Sequence, residues 1–287
     1  VSDLSYVQSV VLGVVEGLTE FLPVSSTGHL TITEKLLGLQ VDAPEVTAYT
    51  AIIQLGAIAA TLVYFFRDII RLAVAWFLGL VSAEARQHHD YSLAWAVIVG
   101  SIPVAIVGFA LKKVIEGPLR SLWVVATALI VWSIVMWLAE SRHAKLLRER
   151  GERGVRGEGT VGVRDGLIIG LVQCFSLIPG VSRSGATISA GLFRGIDRVS
   201  ATRLSFFLAI PALTAAGLYE AATTDLSNLG KGQMGVGIVV AFVVAYASIA
   251  WLLRFVASNS LMPFVWYRVA LGLTLVATLA TGVLTAT

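Results

Sequence analysis

The chain has 287 residues, of which 56% are hydrophobic and only 14% charged, and its mean hydropathy is +0.83. Such a chain cannot present an ordinary water-facing surface, so its solvent is lipid. The formal net charge of +3 is small. No basic stripe lies on a soluble face, which excludes nucleic acid as a partner.

The opening apolar run, 5–22, lacks a basic leader and carries Glu16 and Glu20, so it is not read as a cleaved signal peptide. It ends at Pro23, and Ser25-Ser26-Thr27-Gly28 separates it from a short apolar stretch at 29–38. Neither limb is long enough to span a bilayer alone, which takes about 20 residues. The pattern predicts a re-entrant hairpin: helix, break, helix, entering and leaving by one side. Broken backbone at membrane depth is tolerated only inside protein or beside a wet cavity. A span follows near 46–66. The segment 68–81, charged at its start by Asp68 and Arg71, either lies along the interface or forms a seventh helix. Further spans are expected near 92–112 and 120–139.

The connector 140–164 holds seven of the 21 lysines and arginines, and the positive-inside bias makes it cytoplasmic. Beyond it the opening pattern returns. An apolar run at 165–178 breaks at Pro179-Gly180, and a second limb follows at 186–196. At one constant offset Gly13 falls on Gly170, Glu16 on Gln173, Ser25 on Ser182 and Gly28 on Gly185. Spans near 199–219, 235–254 and 264–284 complete the chain.

Counting outward from the connector, the first span ends inside at Arg67 and Arg71, and the first hairpin enters from outside. The second enters from the cytoplasm near Arg194, Arg198 and Arg203. Lys112, Lys113 and Arg120 fall on the outer side and argue the other way. An odd number of spans per half turns the second half upside down. The expected fold is therefore an all-α integral membrane protein, one polytopic domain over 1–287. It is an inverted-topology repeat with about six transmembrane helices and two re-entrant hairpins. Repeat one covers about 1–139 and repeat two about 165–287.

Intramembrane ionisable groups mark a site by default. Glu16 and Glu20, four apart, share one helix face and repel each other unless a proton or cation intervenes. A divalent metal, Mg²⁺ or Ca²⁺, suits their oxygen ligands. Ser25, Ser26, Thr27 and Gly28 precede a new helix, where they either cap it or offer its N-terminus to an anion such as phosphate. His29, in the first turn, is either a packed core residue or an acid–base group. In the second break Arg183 brings a permanent charge whose fork fits phosphate oxygens. Ser182, Ser184 and Thr187 add hydroxyls, and Gly180 allows close backbone approach. These parts meet the requirements of phosphoryl transfer. Gln54 is polar and intramembrane, either supporting the site or joining helices. His88-His89-Asp90 reads as a solvated loop, and Trp123 and Tyr267 as interfacial anchors. The lone Cys174 excludes an internal disulfide.

Glu-Gly-Leu-Thr-Glu-Phe-Leu-Pro-Val-Ser-Ser-Thr-Gly-His at 16–29 and Pro-Gly-Val-Ser-Arg-Ser-Gly-Ala-Thr at 179–187 resemble the bacterial undecaprenyl-pyrophosphate phosphatases of the bacitracin-resistance type. The resemblance covers the whole chain in length and span pattern, with no departure inside either motif. It implies an enzyme of the bacterial cytoplasmic (inner) membrane that hydrolyses undecaprenyl pyrophosphate to undecaprenyl phosphate and inorganic phosphate, recycling the lipid carrier of cell-wall synthesis. It also implies a divalent cation, a site open to the periplasmic side and a homodimer. Carried onto this chain, the acidic pair is Glu16 and Glu20, the serine Ser26, the histidine His29 and the phosphate ligand Arg183. Either Ser26 attacks phosphorus with help from His29, or His29 activates a water. The type-2 phosphatidic acid phosphatases share a Ser-Thr-Gly-His-like string, but their relay histidine position is Ser189 here, and that reading fails. A polyprenyl-phosphate flippase or transporter uses the same inverted-repeat plan and is the alternative function.

Overall fold

The computed structural model describes residues 4–285 except 42, 117, 118, 120 and 224–229. The chain runs as α1 (Tyr6–Thr19), α2 (Ser26–Leu36), α3 (Pro44–Tyr64), α4 (Phe66–Val81), α5 (His89–Ala110), the short α6 (Lys112–Glu116) and α7 (Leu122–Arg150). It continues as α8 (Val163–Gln173), α9 (Arg183–Phe193), α10 (Arg198–Thr223), α11 (Lys231–Ser258) and α12 (Met262–Ala280). Six helices among the described residues, α3, α5, α7, α10, α11 and α12, are long and apolar enough to cross a membrane. Each coincides with one of the six expected spans, and the chain is a multi-pass membrane protein.

One open alternative is resolved, and one helix differs from expectation for a local reason. The segment 68–81 belongs to a 16-residue helix of its own, α4, set off from α3 at Phe65 and packed on α5. Helix α7 does not stop near 139 but runs on to Arg150. Its extension is rich in Ala, Leu, Glu, Lys and Arg, all good helix formers, and Lys145 pairs with Glu149 at 3.8 Å. It ends at Gly151, whose φ of 60° favours glycine.

One end of the bundle is knitted by ion pairs. Arg71 reaches Asp68 (3.0 Å), Asp90 (2.8 Å) and Glu158 (3.2 Å), while Arg203 reaches Glu158 (2.6 Å) and Asp68 (2.9 Å). Asp165 receives Arg156 (2.6 Å) and Arg194 (2.8 Å), and Glu140 receives Arg198 (2.8 Å). The connector, the start of α4, the start of α8 and the start of α10 therefore share one side. Asp90, expected in a solvated loop, is instead buried in this network, with His89 Nε2 at 2.8 Å. At the opposite end, Gln8 at the start of α1 donates to the Leu37 carbonyl beyond α2 (3.3 Å). Lys35 there donates to the Thr285 carbonyl beyond α12 (2.6 Å). Helices α1 and α8 thus begin at opposite ends of the bundle.

The halves also exchange their first helices. Helix α1 packs on α11, and α8 packs on α5. Small residues allow it: a Cβ at Gly17 would come within 2.6 Å of the Ala241 carbonyl oxygen, and one at Gly170 would overlap the Gly100 backbone. Close backbone approach is how helices associate where lipid removes the hydrophobic drive.

Candidate active site

Both breaks are made the same way. Helix α1 ends at Thr19, a turn carries the chain through Pro23, and Ser25 caps α2 with φ 79°. Helix α8 ends at Gln173, a 3₁₀ turn (Cys174–Leu177) leads to Pro179-Gly180, and Ser182 caps α9 with φ 77°. Ser25 and Ser182 are the offset-related pair, and among the described residues they are the only non-glycines with positive φ. Backbone of this kind costs of order 1–3 kcal/mol and persists only where its surroundings hold it.

What holds it is a set of bonds between the two breaks. The Gly180 N–H donates to Ser25 Oγ (3.1 Å), and Ser184 Oγ donates to the Leu22 carbonyl (3.0 Å). Arg183 Nη2 donates to Glu20 Oε1 (3.1 Å), joining the acid-bearing turn to the arginine-bearing one. Arg268 completes the lock from α12. It is fully buried and donates to the Pro23 carbonyl (3.3 Å), the Gly180 carbonyl (2.8 Å) and Ser133 Oγ (3.2 Å). The motif reading missed Arg268. Its signal was a charged residue inside an otherwise apolar span, the same criterion that picked out Arg183.

A cavity of about 490 Å³ opens beside these bonds. Its polar side comprises Glu20, Ser25, Ser26, Thr27, Ser182 and Arg183, while Val104, Phe109, Leu177 and Leu213 wall the other side. Gln54 and Gln173 line it too. Gln173 is wholly buried, yet neither amide atom has a hydrogen-bond partner, and the buried Arg183 Nε lacks one as well. Orphaned donors of this kind await a polar ligand. Lys112, expected on the outer side, lines the same cavity, with Nζ 4.6 Å from the Tyr219 ring centre. Arg120 and the Lys113 side chain lie outside the described residues.

Ser26 Oγ donates to Glu20 Oε2 at 2.6 Å. Glu20 thus has one oxygen on the serine and the other on Arg183. The expected Ser26–His29 couple is not formed. His29 Nδ1 meets the Ser25 carbonyl at 2.7 Å and must donate there, so Nε2 accepts from Tyr267 Oη at 2.6 Å. The two rings also stack, with centres 5.6 Å apart. Tyr267 is therefore more than an interfacial anchor, and His29 stands outside the cavity with both nitrogens committed.

Four other expected residues are placed elsewhere. Gly28 packs tightly under α7, where a Cβ would sit 3.0 Å from Val125 Cγ1. Ser184 is buried behind Ser182, and Thr187 Oγ1 donates to Ser205 Oγ (2.6 Å). Glu16 does not share the main cavity with Glu20. It lines a smaller polar pocket beyond Ser26, Thr27 and Gln54, and its buried Oε1 has no partner. Glu20 lies past the end of α1 and turns towards Arg183, while Glu16 stays within α1; the two carboxylates still lie near enough to repel each other. An oxygen-liking cation fits the Glu16 side, where a carboxylate oxygen remains unsatisfied, better than the Glu20 side.

The arrangement suits an amphipathic ligand. Ser25 Oγ is drawn away to Gly180 and makes no side-chain cap, so the α2 N-terminus keeps its N–H groups for an anion. Arg183 adds charge, Ser26 a hydroxyl held by a carboxylate, and the apolar wall a place for hydrocarbon. The fold and the site together define a multi-pass membrane protein with an anion-receptive intramembrane site. The chain belongs to the family described as Bacitracin resistance protein BacA, whose profile matches residues 9–274. It is 51% identical to the Undecaprenyl-diphosphatase of Cutibacterium acnes over 99% of this chain and 100% of that one. It is 54% identical to Undecaprenyl-diphosphatase 1 of Streptomyces avermitilis over 96% of this chain and 97% of that one. Against the Undecaprenyl-diphosphatase of Corynebacterium diphtheriae the identity is 47%, over 99% and 98% respectively.

Proposed function

We propose that this chain hydrolyses undecaprenyl pyrophosphate to undecaprenyl phosphate and inorganic phosphate, as the names of its relatives indicate for them. The observation that carries the reading is the chain of contacts Ser26–Glu20–Arg183 at the polar end of a half-apolar cavity. The pyrophosphate lies against Arg183 and the α2 N-terminus, and the polyprenyl tail follows the apolar wall.

Glu20 holds the Ser26 proton, so Glu20 is the base and Ser26 the nucleophile. Ser26 Oγ bonds to the terminal phosphorus as its proton passes to Glu20 Oε2. The bond from that phosphorus to the bridging oxygen breaks, and undecaprenyl phosphate leaves with the electron pair. Water then attacks the phosphoserine. Glu20 returns its proton to Ser26 Oγ, one water hydrogen stays on the departing phosphate and the other goes to solvent. Arg183 neutralises charge on the non-bridging oxygens throughout. Gln173, with both amide atoms unspent, orients the phosphate or the water. His29 holds the Ser25 carbonyl, and with it the turn that aims Ser26. Glu16 would hold a divalent cation, which would supply further positive charge beside the Ser26–Thr27 wall that the two pockets share.

The connector faces the cytoplasm of a bacterial inner membrane, and the cavity opens towards the periplasmic side. The seven basic residues of 140–164 support this sidedness. Homodimerisation rests on the family resemblance alone. The test is phosphate release from undecaprenyl pyrophosphate by the purified protein in detergent, where no sealed compartment exists and carriage alone yields no product. Ser26→Ala is expected to lose activity by about a thousandfold or more, and to lose a trappable phosphoserine. Arg183→Ala is expected to lose about 10²–10³-fold. Substantial turnover by Ser26→Ala would discard the serine route.

A further inference from the structure

The ion-paired end of the bundle is not balanced in charge. Among the described residues the network sets three carboxylates, Asp68, Asp90 and Glu158, against two guanidiniums, Arg71 and Arg203. One negative charge is left over, and two imidazoles stand beside it. His88 Nδ1 lies 3.5 Å from Asp90 Oδ2, and His89 Nε2 lies 2.8 Å from Asp90 Oδ1. One ligand atom from each of the three residues falls within 4.8 Å of the other two. Asp90 is buried, whereas His88 is exposed and His89 partly so, which leaves the group open to water on one side.

The backbone turns the His88 lone pair inwards. The Asp90 N–H donates to His88 Nδ1 at 3.4 Å, so this nitrogen carries no proton. That bond is longer than the usual range of about 2.7–3.2 Å and leaves the lone pair mostly unspent. An unprotonated nitrogen and a carboxylate oxygen 3.5 Å apart share no hydrogen, and they repel each other unless a cation lies between them. Their spacing is that of two ligands on one tetrahedral ion, whose bonds of about 2.0–2.2 Å set the ligand atoms about 3.4 Å apart. Arg71 Nη1 holds Asp90 Oδ1 at 2.8 Å, which orients the carboxylate and leaves Oδ2 facing His88. Two imidazoles and a carboxylate suit Zn²⁺, Ni²⁺ or Co²⁺ and not Mg²⁺ or Ca²⁺. Any proton on His89 Nε2 leaves to solvent as the ion binds.

We infer that His88, His89 and Asp90 form a transition-metal site at the start of α5, with an open position for water. It differs from a cation at Glu16 in its ligands, in the class of metal and in its place at the connector end of the bundle. The bound ion ties the turn after α4 to the first turn of α5. Through the Arg71 bonds to Asp68 and Glu158 it also steadies the start of α4 and the connector. The site goes beyond the proposed hydrolysis and takes no part in it.

The test is titration of the full-length, tag-free, chelator-stripped protein in detergent with Co²⁺, reading the visible bands that the ion gains on imidazole ligation and their loss as Zn²⁺ is added. Wild type is expected to bind a single equivalent, and Zn²⁺ to raise its thermal unfolding temperature. His88→Gln and His89→Gln should each weaken Co²⁺ binding by about tenfold or more, while phosphate release is unchanged. Both imidazoles reach the surface, so the variants keep the fold, and their unfolding temperature without metal checks this. Glu16→Gln should leave the bands in place. No bands in wild type, or bands that persist when both histidines are replaced, would overturn the inference. Loss of the bands in Glu16→Gln, with retention in the histidine variants, would overturn it as well and assign the ion to the other pocket. A preparation that binds Co²⁺ through His88 and His89 but releases no phosphate would remove the hydrolysis and leave this site standing.

Discussion

Arg268 donates to carbonyls from both breaks, so its removal orphans two buried acceptors at once. Each such group costs about 1–3 kcal/mol. Arg268→Met is therefore expected to lower the thermal unfolding temperature in detergent and to abolish activity, while Arg268→Lys recovers part of the stability. His29 makes the opposite prediction. Because its nitrogens serve the Ser25 carbonyl and Tyr267, His29→Gln should reduce kcat by about tenfold or less, the effect of one weakened positioning bond. A loss as deep as that of Ser26→Ala, with a changed pH–rate profile, would restore His29 to proton chemistry. The two cases mark how far residue types could be read from the chain. Glu20, Ser26 and Arg183 were legible because charge and hydroxyls stood out against lipid. The direction in which His29 points was not, since its partner lies 238 positions away on α12.

At the scale of elements, the breaks were the most legible feature. Pro23 and Pro179-Gly180 stop their helices for reasons contained in the residues themselves, and the serines that follow are natural caps. That Ser25 abandons its own helix to accept from Gly180 was not legible, because it depends on the other hairpin being present. The far end of α7 was not legible, and 68–81 could be read as an interfacial segment or as a seventh helix, since hydropathy marks where lipid stops and not where a helix does. The connector end offers a pH test. Burial alone would raise the Asp165 carboxyl. Hydrogen bonds from Arg156, Arg194 and the Gly162 N–H outweigh it and hold the group below its ordinary value. A depressed carboxylate stabilises the fold above the unfolded pKa, about 3.9 for Asp, and that stability is lost as pH falls through the folded value. Thermal unfolding of wild type should therefore weaken with acid in this range, and Asp165→Asn should flatten that part of the curve. A variant that keeps the full acid dependence would assign it to another carboxylate.

For the whole molecule, the expected sidedness predicts that a cysteine replacing Lys145, exposed near the end of α7, reacts with an impermeant thiol reagent only after intact cells are opened. Labelling of unbroken cells would invert the topology. The six spans followed from hydropathy, but which helix embraces which did not. The exchange of first helices by the two halves has a consequence in time. During synthesis α1 reaches the membrane long before α11, its packing partner, has been translated, and α8 likewise arrives to find α5 waiting. Until Arg183 has been translated, Glu20 has no guanidinium to meet, so a product terminated before it is inert and carries an unshielded acid in the bilayer. Two fragments divided within 151–160 should accordingly be inactive when expressed singly and regain phosphate release when expressed together. The enzyme is thus born late, its chemistry withheld by the order of its own translation.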